Sequence, residues 1–464
     1  MTQHAQLGDV ADIVRGIAFP KEAKSLEPLP GHIACLRTTN VQRQVEWDDL
    51  WFVPVEHVRR DEQFVRAGDI LISTANSYEL VGKVAPVIGV PHKSTLGAFI
   101  SLIRAREGVE PKYLYHQLAW GKTQARIREL ASTTTNISNV STKKLALLDL
   151  HVPPLSEQRL VVAEIEKQFS RLDEAVANLQ RVKANLKRYR AAVLRAAFDG
   201  HLVVTDADRA LRLGSKAASG ESLEAWIHRS RREKWHGRGK WKDAAAPGDD
   251  TKAELPEGWA LVSWEALLAA EDGAFKRGPF GSALTKVMFV DSGFKVYEQY
   301  CPINDDCSFA RYYITPEKFD EMRAFEVRAG DFLISCSGVT LGRITRVPAQ
   351  FEQGVINQAL LRVRLNTEAL DPSYFLHLFR SPQFQRYLFD RSAGAAIPNL
   401  RGVDELKAIP IAVPPMPEQL RIVAEVDRRL SIVREVETEV EADLKRADRL
   451  RQSTLARAFR ADAQ

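Results

Sequence analysis

Cysteine is scarce: Cys35, Cys301, Cys307 and Cys336 are the only four in 464 residues. Their spacing is irregular, and Cys301 and Cys307 lack the C-x-x-C step of a zinc ribbon. Reduced, cytosolic thiols are expected, with neither a disulfide framework nor a structural zinc. No uninterrupted apolar run of about 18 residues occurs, so no membrane-spanning helix is expected. The N-terminus, Met1 to Val14, has no basic head followed by an apolar core and does not read as a secretory signal. Charge of one sign is also missing. A net +5 permits a basic face for nucleic acid without requiring one.

Catalytic signatures are missing too. Gly273-Ala274-Phe275-Lys276-Arg277-Gly278 has phosphate-loop glycine spacing, but Pro279-Phe280 stand where Lys and Ser/Thr are needed. Two Pro-Pro pairs invite comparison with the Asp/Asn-Pro-Pro-aromatic motif of amino-methyltransferases. A valine precedes each pair and Leu155 or Met416 follows, so nothing there accepts a proton or stacks on a base. Glu22-Ala23-Lys24 and Glu405-Leu406-Lys407 resemble half of a nuclease metal site without the preceding strand aspartate. His92 and His236 sit near lysines, apart from any carboxylate or cysteine cluster. No dinucleotide fingerprint, H-E-x-x-H or G-x-S-x-G occurs. The chain offers binding surfaces and no assembled active site.

What the chain does have is one stretch used twice. Val152-Pro153-Pro154-Leu155-Ser156-Glu157-Gln158 opens one long helical run. Val413-Pro414-Pro415-Met416-Pro417-Glu418-Gln419 opens another, about 260 residues later. The match continues without a gap to Ala197-Phe198 over Ala458-Phe459, a tandem duplication. The prolines force an extended entry, and Glu157 and Glu418 put a carboxylate near the positive end of the helix dipole. Apolar residues follow in steps of four and three: Ile165, Phe169, Leu172, Val176, Leu179, Leu186 and Val193, then Val426, Leu430, Val433, Val440 and Leu444. That is a narrow coiled-coil seam, and two such seams in one chain can bury each other. From Ser156 to Phe198 the helix would be about 64 Å long at 1.5 Å per residue.

A folded unit precedes each helix, giving five segments: residues 1–153, the helix 154–200, a linker 201–257, a second unit 258–414 and the helix 415–464. In the first unit, β-type runs include Ile33 to Leu36, Asp69 to Ile72, Lys83 to Val87 and Phe99 to Ile103. A helix is expected from Pro111 to about Leu130, with Tyr113, Leu114, Leu118 and Ile127 inward. The second unit echoes these anchors: Gly330-Asp331-Phe332-Leu333-Ile334-Ser335 matches Gly68-Asp69-Ile70-Leu71-Ile72-Ser73. Pro372 to Leu388 matches the Pro111 helix, and Ile397-Pro398-Asn399-Leu400 matches Ile137-Ser138-Asn139-Val140. Loops between anchors differ, as in two related readers of different targets. In the linker a helix is expected from Glu221 to about Lys234. Lys234 to Lys242 interleaves basic residues with Trp235 and Trp241, a pattern for gripping phosphate or a partner, or for anchoring a solvated linker.

These features together resemble the specificity subunit of type I restriction-modification enzymes. The paired Pro-Pro-x-x-Glu-Gln helices, the Gly-Asp-x-Leu-Ile-Ser strands, the Lys276 to Ser282 loop and Leu255-Pro256-Glu257-Gly258-Trp259 carry the likeness over nearly the whole chain. The resemblance implies an α+β protein: two β-rich α/β target recognition domains separated by two long antiparallel helices, in a pseudo-two-fold tandem repeat. It implies a non-catalytic, cytoplasmic subunit that reads a bipartite site in double-stranded DNA. Two methyltransferase (modification) subunits would dock along the helices and restriction (motor-nuclease) subunits would join them. S-adenosylmethionine, ATP and magnesium would belong to those partners, with no cofactor, metal or membrane contact in this chain. Ser73 to Tyr78 departs from the small-residue run Ser335 to Gly338.

Base readout calls for Arg or Lys on guanine, Asn or Gln on adenine, and Ser/Thr as adaptable partners. In the first unit the candidates are Arg37, Thr38, Asn40, Asn76, Tyr78, Asn136, Lys143 and Lys144. In the second they are Lys276, Arg277, Gln299, Tyr300, Ser337, Thr340 and Arg401. Gln299 and Tyr300 take the place of Arg37 and Thr38. Two readings compete with this one: a scaffold whose repeats bind only protein, and a degenerate methyltransferase or nuclease.

Overall fold

The computed structural model describes residues 3–134, 137–212, 221–248, 255–280, 283–337, 340–389 and 400–460. It divides into two compact units, Met1–Val182 with Glu439–Gln464, and Lys183–Thr438. Each unit is a β-rich head joined to parts of both long helices, α1 (Leu155–Phe198) and α2 (Met416–Arg460).

In the first head a four-stranded antiparallel sheet runs in the order Ala11–Arg15, Ile100–Ala105, Ile70–Ser73, Val84–Pro86. Its central strands are buried on both faces, which is why they read as unbroken apolar runs. A second sheet holds Trp51–Pro54 antiparallel and Ser94–Leu96 parallel to His32–Leu36. The second head repeats this order with Phe275–Arg277, Leu360–Val363, Phe332–Ser335 and Ile344–Arg346. Its second sheet is Tyr313–Ile314, Phe294–Tyr297 and Gly354–Ile356. The aspartate of each Gly-Asp strand explains that motif. Asp69 accepts from the Arg66 amide at 2.7 Å and takes the Arg104 guanidinium on both oxygens at 2.7 Å. Asp331 does the same with the Arg328 amide and Arg364. Each is a buried, paired charge locking the strand entry to the neighbouring strand.

The helix expected over Pro111 to Leu130 is two helices, Pro111–Ala119 and Gly121–Glu129. Trp120 between them is extended, at φ −66° and ψ 132°. The second head breaks at the same place, into Pro372–Arg380 and Pro382–Leu388, with Ser381 extended and capping the second piece through its hydroxyl. Tyr113, Leu114, Leu118 and Ile127 are buried as expected. The linker helix spans Leu223–Glu233. The basic-aromatic stretch after it folds onto the second head: Trp235 meets Trp241 edge-on at 5.6 Å, Arg231 lies over Trp241, and the Arg238 amide donates to Asp272.

In the first unit the two helices run antiparallel, since Val162, Ile165 and Phe169 of α1 cluster with Leu455 and Phe459 of α2, and Asp173 pairs with Arg451. In the second, Val193, Leu194, Ala197 and Phe198 share a core with Ile422, Val426 and Leu430. Of the seam residues, Ile165, Phe169, Val176, Val193, Val426, Leu430, Val433 and Val440 are buried, and Leu172, Leu179, Leu186 and Leu444 are half-buried. The apolar stripe is wider than a seam at the helix ends, where Val162, Leu194, Ala197, Leu455 and Phe459 are buried as well. There the helices also cover the heads: Phe459 packs on Tyr113 and Phe198 on Tyr374.

The helix-opening glutamines are the fixings. Gln158 accepts from the Glu110 amide at 2.8 Å and donates to the carbonyls of Gly108 (3.2 Å) and Pro153 (2.7 Å). Gln419 accepts from Asp371 (2.7 Å) and donates to Ala369 and Pro414 (2.9 Å each). Both are fully buried. The glutamates differ from each other. Glu157 is exposed, whereas Glu418 is buried and accepts from the Trp259 indole and the Asp206 amide, at 2.9 Å each.

Candidate nucleic-acid interface

In each head four loops leave the same ends of the two sheets and are held together by main-chain hydrogen bonds. In the first they are Arg15 to Phe19, Arg37 to Asn40, Thr74 to Tyr78, and the turn Gly97-Ala98-Phe99. The Gly97 amide donates to Leu36 (2.9 Å), Gly16 to Ile100 (3.0 Å) and Thr74 to Phe99 (2.9 Å). In the second head the loops are Arg277 to Phe280, Glu298 to Tyr300, Cys336-Ser337, and the turn Asn357-Gln358-Ala359. There Asn357 donates to Tyr297 (3.0 Å), Gly278 to Leu360 (2.8 Å) and Cys336 to Ala359 (2.8 Å). The same three bonds therefore recur, position for position. Gly16 and Gly278 are obligatory in this frame. A Cβ on the first would lie 2.2 Å from the Gly97 carbonyl, and on the second 1.8 Å from that of Asn357.

The side chains on this frame differ between heads. In the first, a groove of about 490 Å³ runs between Phe19, Leu36, Phe99 and Ile100, rimmed by Lys21, Lys24 and Arg37. Trp51 carries Lys24 at 4.3 Å and Arg37 at 4.9 Å from its ring centre, a cation–π pair of contacts that keeps two positive charges at the surface. In the second head, Arg277 lies 5.4 Å over the exposed Phe280 ring, and Tyr300 stacks on Phe309 at 4.0 Å. The Gln299 amide donates to the Ser337 carbonyl and hydroxyl at 2.8 and 2.9 Å, tying the second loop to the third. Among the described residues, the Nε atoms of Arg37 and Arg277 are buried without a hydrogen-bond partner. Burial pushes the Glu298 carboxyl above its usual range, which favours its neutral form next to an anion. Among the described residues, no group of three His, Cys, Asp or Glu side chains could hold a metal, and no helix is long and apolar enough to cross a membrane.

Arg37, Thr38, Asn76 and Tyr78 lie on these loops in the first head, and Arg277, Gln299, Tyr300 and Ser337 in the second. Lys276 sits one residue earlier on its strand, over Phe325. Asn40 is not available as a reader. It is buried, its Oδ1 accepts from the Arg37 amide, and its Nδ2 donates to the Asp48 carbonyl, both at 2.9 Å. Arg37 is partly committed as well, through an ion pair with Asp49. Asn136 lies outside the described residues. Lys143 is exposed, on the short helix Thr142–Ala146. Lys144 donates to the Leu130 carbonyl and the Ser132 hydroxyl at 3.0 and 3.2 Å. Arg401 is a brace, its Nε donating to the Phe389 carbonyl at 3.3 Å. Thr340 lines a separate cleft shared with the long helices. Sequence reasoning missed the fourth loop in both heads, and also the pairing of the first loops through Arg15-Gly16 and Arg277-Gly278. For the first loops, two Arg-Gly steps at the repeat distance, each followed by an exposed or half-exposed phenylalanine, were the available signal.

Residues 2–188 match the model of the type I restriction modification DNA specificity domain. The chain is 23% identical over 466 aligned residues to the type I restriction enzyme StySPI specificity subunit of Salmonella potsdam, spanning 99% of this chain and 88% of that one. It is 22% identical to the EcoKI specificity subunit of Escherichia coli K12, with the same coverage. The chain is thus similar over nearly its whole length to type I restriction specificity subunits. A solved chain from a study of assembly and conformational transition in the type I R-M system has the same fold, with TM-score 0.60 at 18% identity over 99% of this chain and 98% of that one. Set beside those subunits, the duplicated four-loop frame with unlike side chains is the feature that matters. In this chain one four-loop frame has been built twice on one scaffold.

Proposed function

We propose that each four-loop face reads one half of a bipartite DNA sequence, and that the chain itself performs no chemistry. The observation carrying this reading is the frame: identical main-chain bonds in both heads present different exposed residues, Phe99 and Tyr78 in one, Gln358 and Tyr300 in the other. Phosphates would be met by the basic rim, Lys21 and Lys24 in the first head and Lys276 and Arg277 in the second. Bases would be met by the loop tips. Two modification subunits would dock on the long helices, with restriction subunits joining the assembly. S-adenosylmethionine, ATP and magnesium would be bound by those partners. Readers on one face of duplex DNA sit about one helical turn, roughly 34 Å, apart, so the gap between half-sites would be roughly five to eight base pairs.

The test is duplex binding by the chain, alone and with the modification subunit, across a salt series, followed by mapping of methylated adenines. Binding that weakens steeply with salt, and methylation at two short blocks a constant distance apart, are the expected results. A chain that leaves duplex DNA unbound in both states would be a protein scaffold, and the reading would be discarded.

A further inference from the structure

The second unit contains a cleft of about 610 Å³ separate from its four-loop face. Its walls come from the head and from both long helices, and four arginines face it: Arg190 of α1, Arg434 of α2, Arg343 and Arg380. Arg380 is paired with Asp305 at 2.8 Å, and His377 contacts Asp427 at 2.9 Å. Those two aspartates are the carboxylates of the lining. Among the described residues, Arg190, Arg343 and Arg434 have no ion-pair partner. Two positive charges in excess, on guanidinium groups from separate elements, thus converge on one cavity. The lining also includes Leu194, Pro302, Ile303, Leu341 and Leu430.

The repeat supplies an internal comparison. At the matching place in the first unit, Asp173 stands where the second has Arg434, and Asp448 where it has Lys187. Arg451, the counterpart of Arg190, is paired with Asp173 and lies 4.3 Å over the Phe169 ring. Arg43 closes the place from the head, bonding Asp448 at 2.5 Å, and its carbonyl accepts from the Tyr115 hydroxyl. The first unit fills this position with matched charges; the second leaves it open and positive. Two charge reversals at equivalent helix positions separate a plugged cleft from an open one.

We propose that the second unit's cleft binds a small, multiply charged oxyanion, of the class of a pyrophosphate or the phosphate chain of a nucleotide. Guanidinium groups are suited to phosphate oxygens, which they meet with paired donors. The volume is that of a small-ligand site, and apolar side chains line it beside the arginines. The assignment is independent of what the four-loop faces read.

The test is calorimetric titration of the full chain with inorganic pyrophosphate, ATP and adenosine, with circular dichroism melting of each variant as the fold control. Saturable binding of one pyrophosphate or ATP per chain is expected, with none for adenosine. ATP binding more tightly than pyrophosphate identifies the nucleotide as the ligand; equal binding identifies the free oxyanion. Arg434→Asp, which copies the first unit, should weaken binding by roughly tenfold or more, the worth of one charge-assisted contact. Arg190→Ala should do the same. Absence of saturable binding by both anions, or an R434D chain that melts normally and binds as the parent does, overturns the proposal.

Discussion

Gln358 is exposed at the tip of the fourth loop, in a turn whose main chain is pinned to the loops on either side. In the first head the same turn reads Gly97-Ala98-Phe99, with Phe99 61% exposed. An amide can pair with adenine N6 and N7 together, and a phenyl ring suits a thymine methyl. Replacing Gln358 by alanine should therefore relax one base position in one half-site, by about 1–3 kcal/mol, and leave the other half-site untouched. Phe99→Ala should do the reverse. Sequencing of methylated sites checks both, and equal loss at all positions would place these residues on the phosphate backbone instead. His116 makes a different prediction. Burial, opposed by Glu166 and helped by Lys112 and Arg451, pulls its pKa down to about 4. The folded chain keeps this imidazole neutral while the unfolded chain protonates it near 6.5. Its contribution to stability is thus complete above that value and is lost as pH falls toward 4. Between pH 7 and pH 5 this amounts to about 2 kcal/mol. Urea midpoints at the two pH values should converge in His116→Gln relative to the parent.

At the scale of elements, the glutamine at the head of each long helix ties it to its recognition domain. Gln158→Ala would strand the Glu110 amide and the Gly108 and Pro153 carbonyls in a buried place, at a cost of roughly 2–3 kcal/mol. Gln419→Ala should cost about the same, since its three bonds are the same. The neighbouring glutamates should not behave alike: Glu418→Ala should lower the melting temperature by several degrees and Glu157→Ala should leave it unchanged. The Pro-Pro-x-x-Glu-Gln motif was legible as a repeat and as a helix start. Its physical role was not, because a dipole argument favours the carboxylate, while the work falls to the uncharged amide whose partners lie about 50 residues earlier. The break at Trp120 was hidden for a related reason. Apolar spacing continues across it, and only the second copy shows the stop openly, in Ser381-Pro382. Strand positions were easy to read, since strands buried on both faces are apolar runs in any context. The reading surface was harder: Asn40 has the composition of a base reader, but its amide is spent on the loop that carries it.

For the whole molecule, the duplication determines what each unit contains: one head, the start of one long helix and the end of the other. The first head is fixed to α1 through Gln158 and covered by Phe459 of α2. The second is fixed to α2 through Gln419 and covered by Phe198 of α1. The boundary between units falls within both helices, at 182/183 and 438/439. If the helix pair measures the gap between half-sites, lengthening both helices at that boundary should lengthen the gap. Four residues added to each extend them by about 6 Å and turn the helices by about 40° relative to their former phase. At roughly 3.4 Å per base pair, the preferred spacer should grow by one or two base pairs while both half-sites keep their sequence. Insertion into one helix alone slips the antiparallel seam, setting Val176 and Val440 against the wrong partners, and should cost folding stability before it changes the site. Methylation mapping of the doubly lengthened chain in its complex decides the matter. A spacer that stays the same in a folded, active double insertion would mean that the gap is set elsewhere, by the docked subunits or by the DNA.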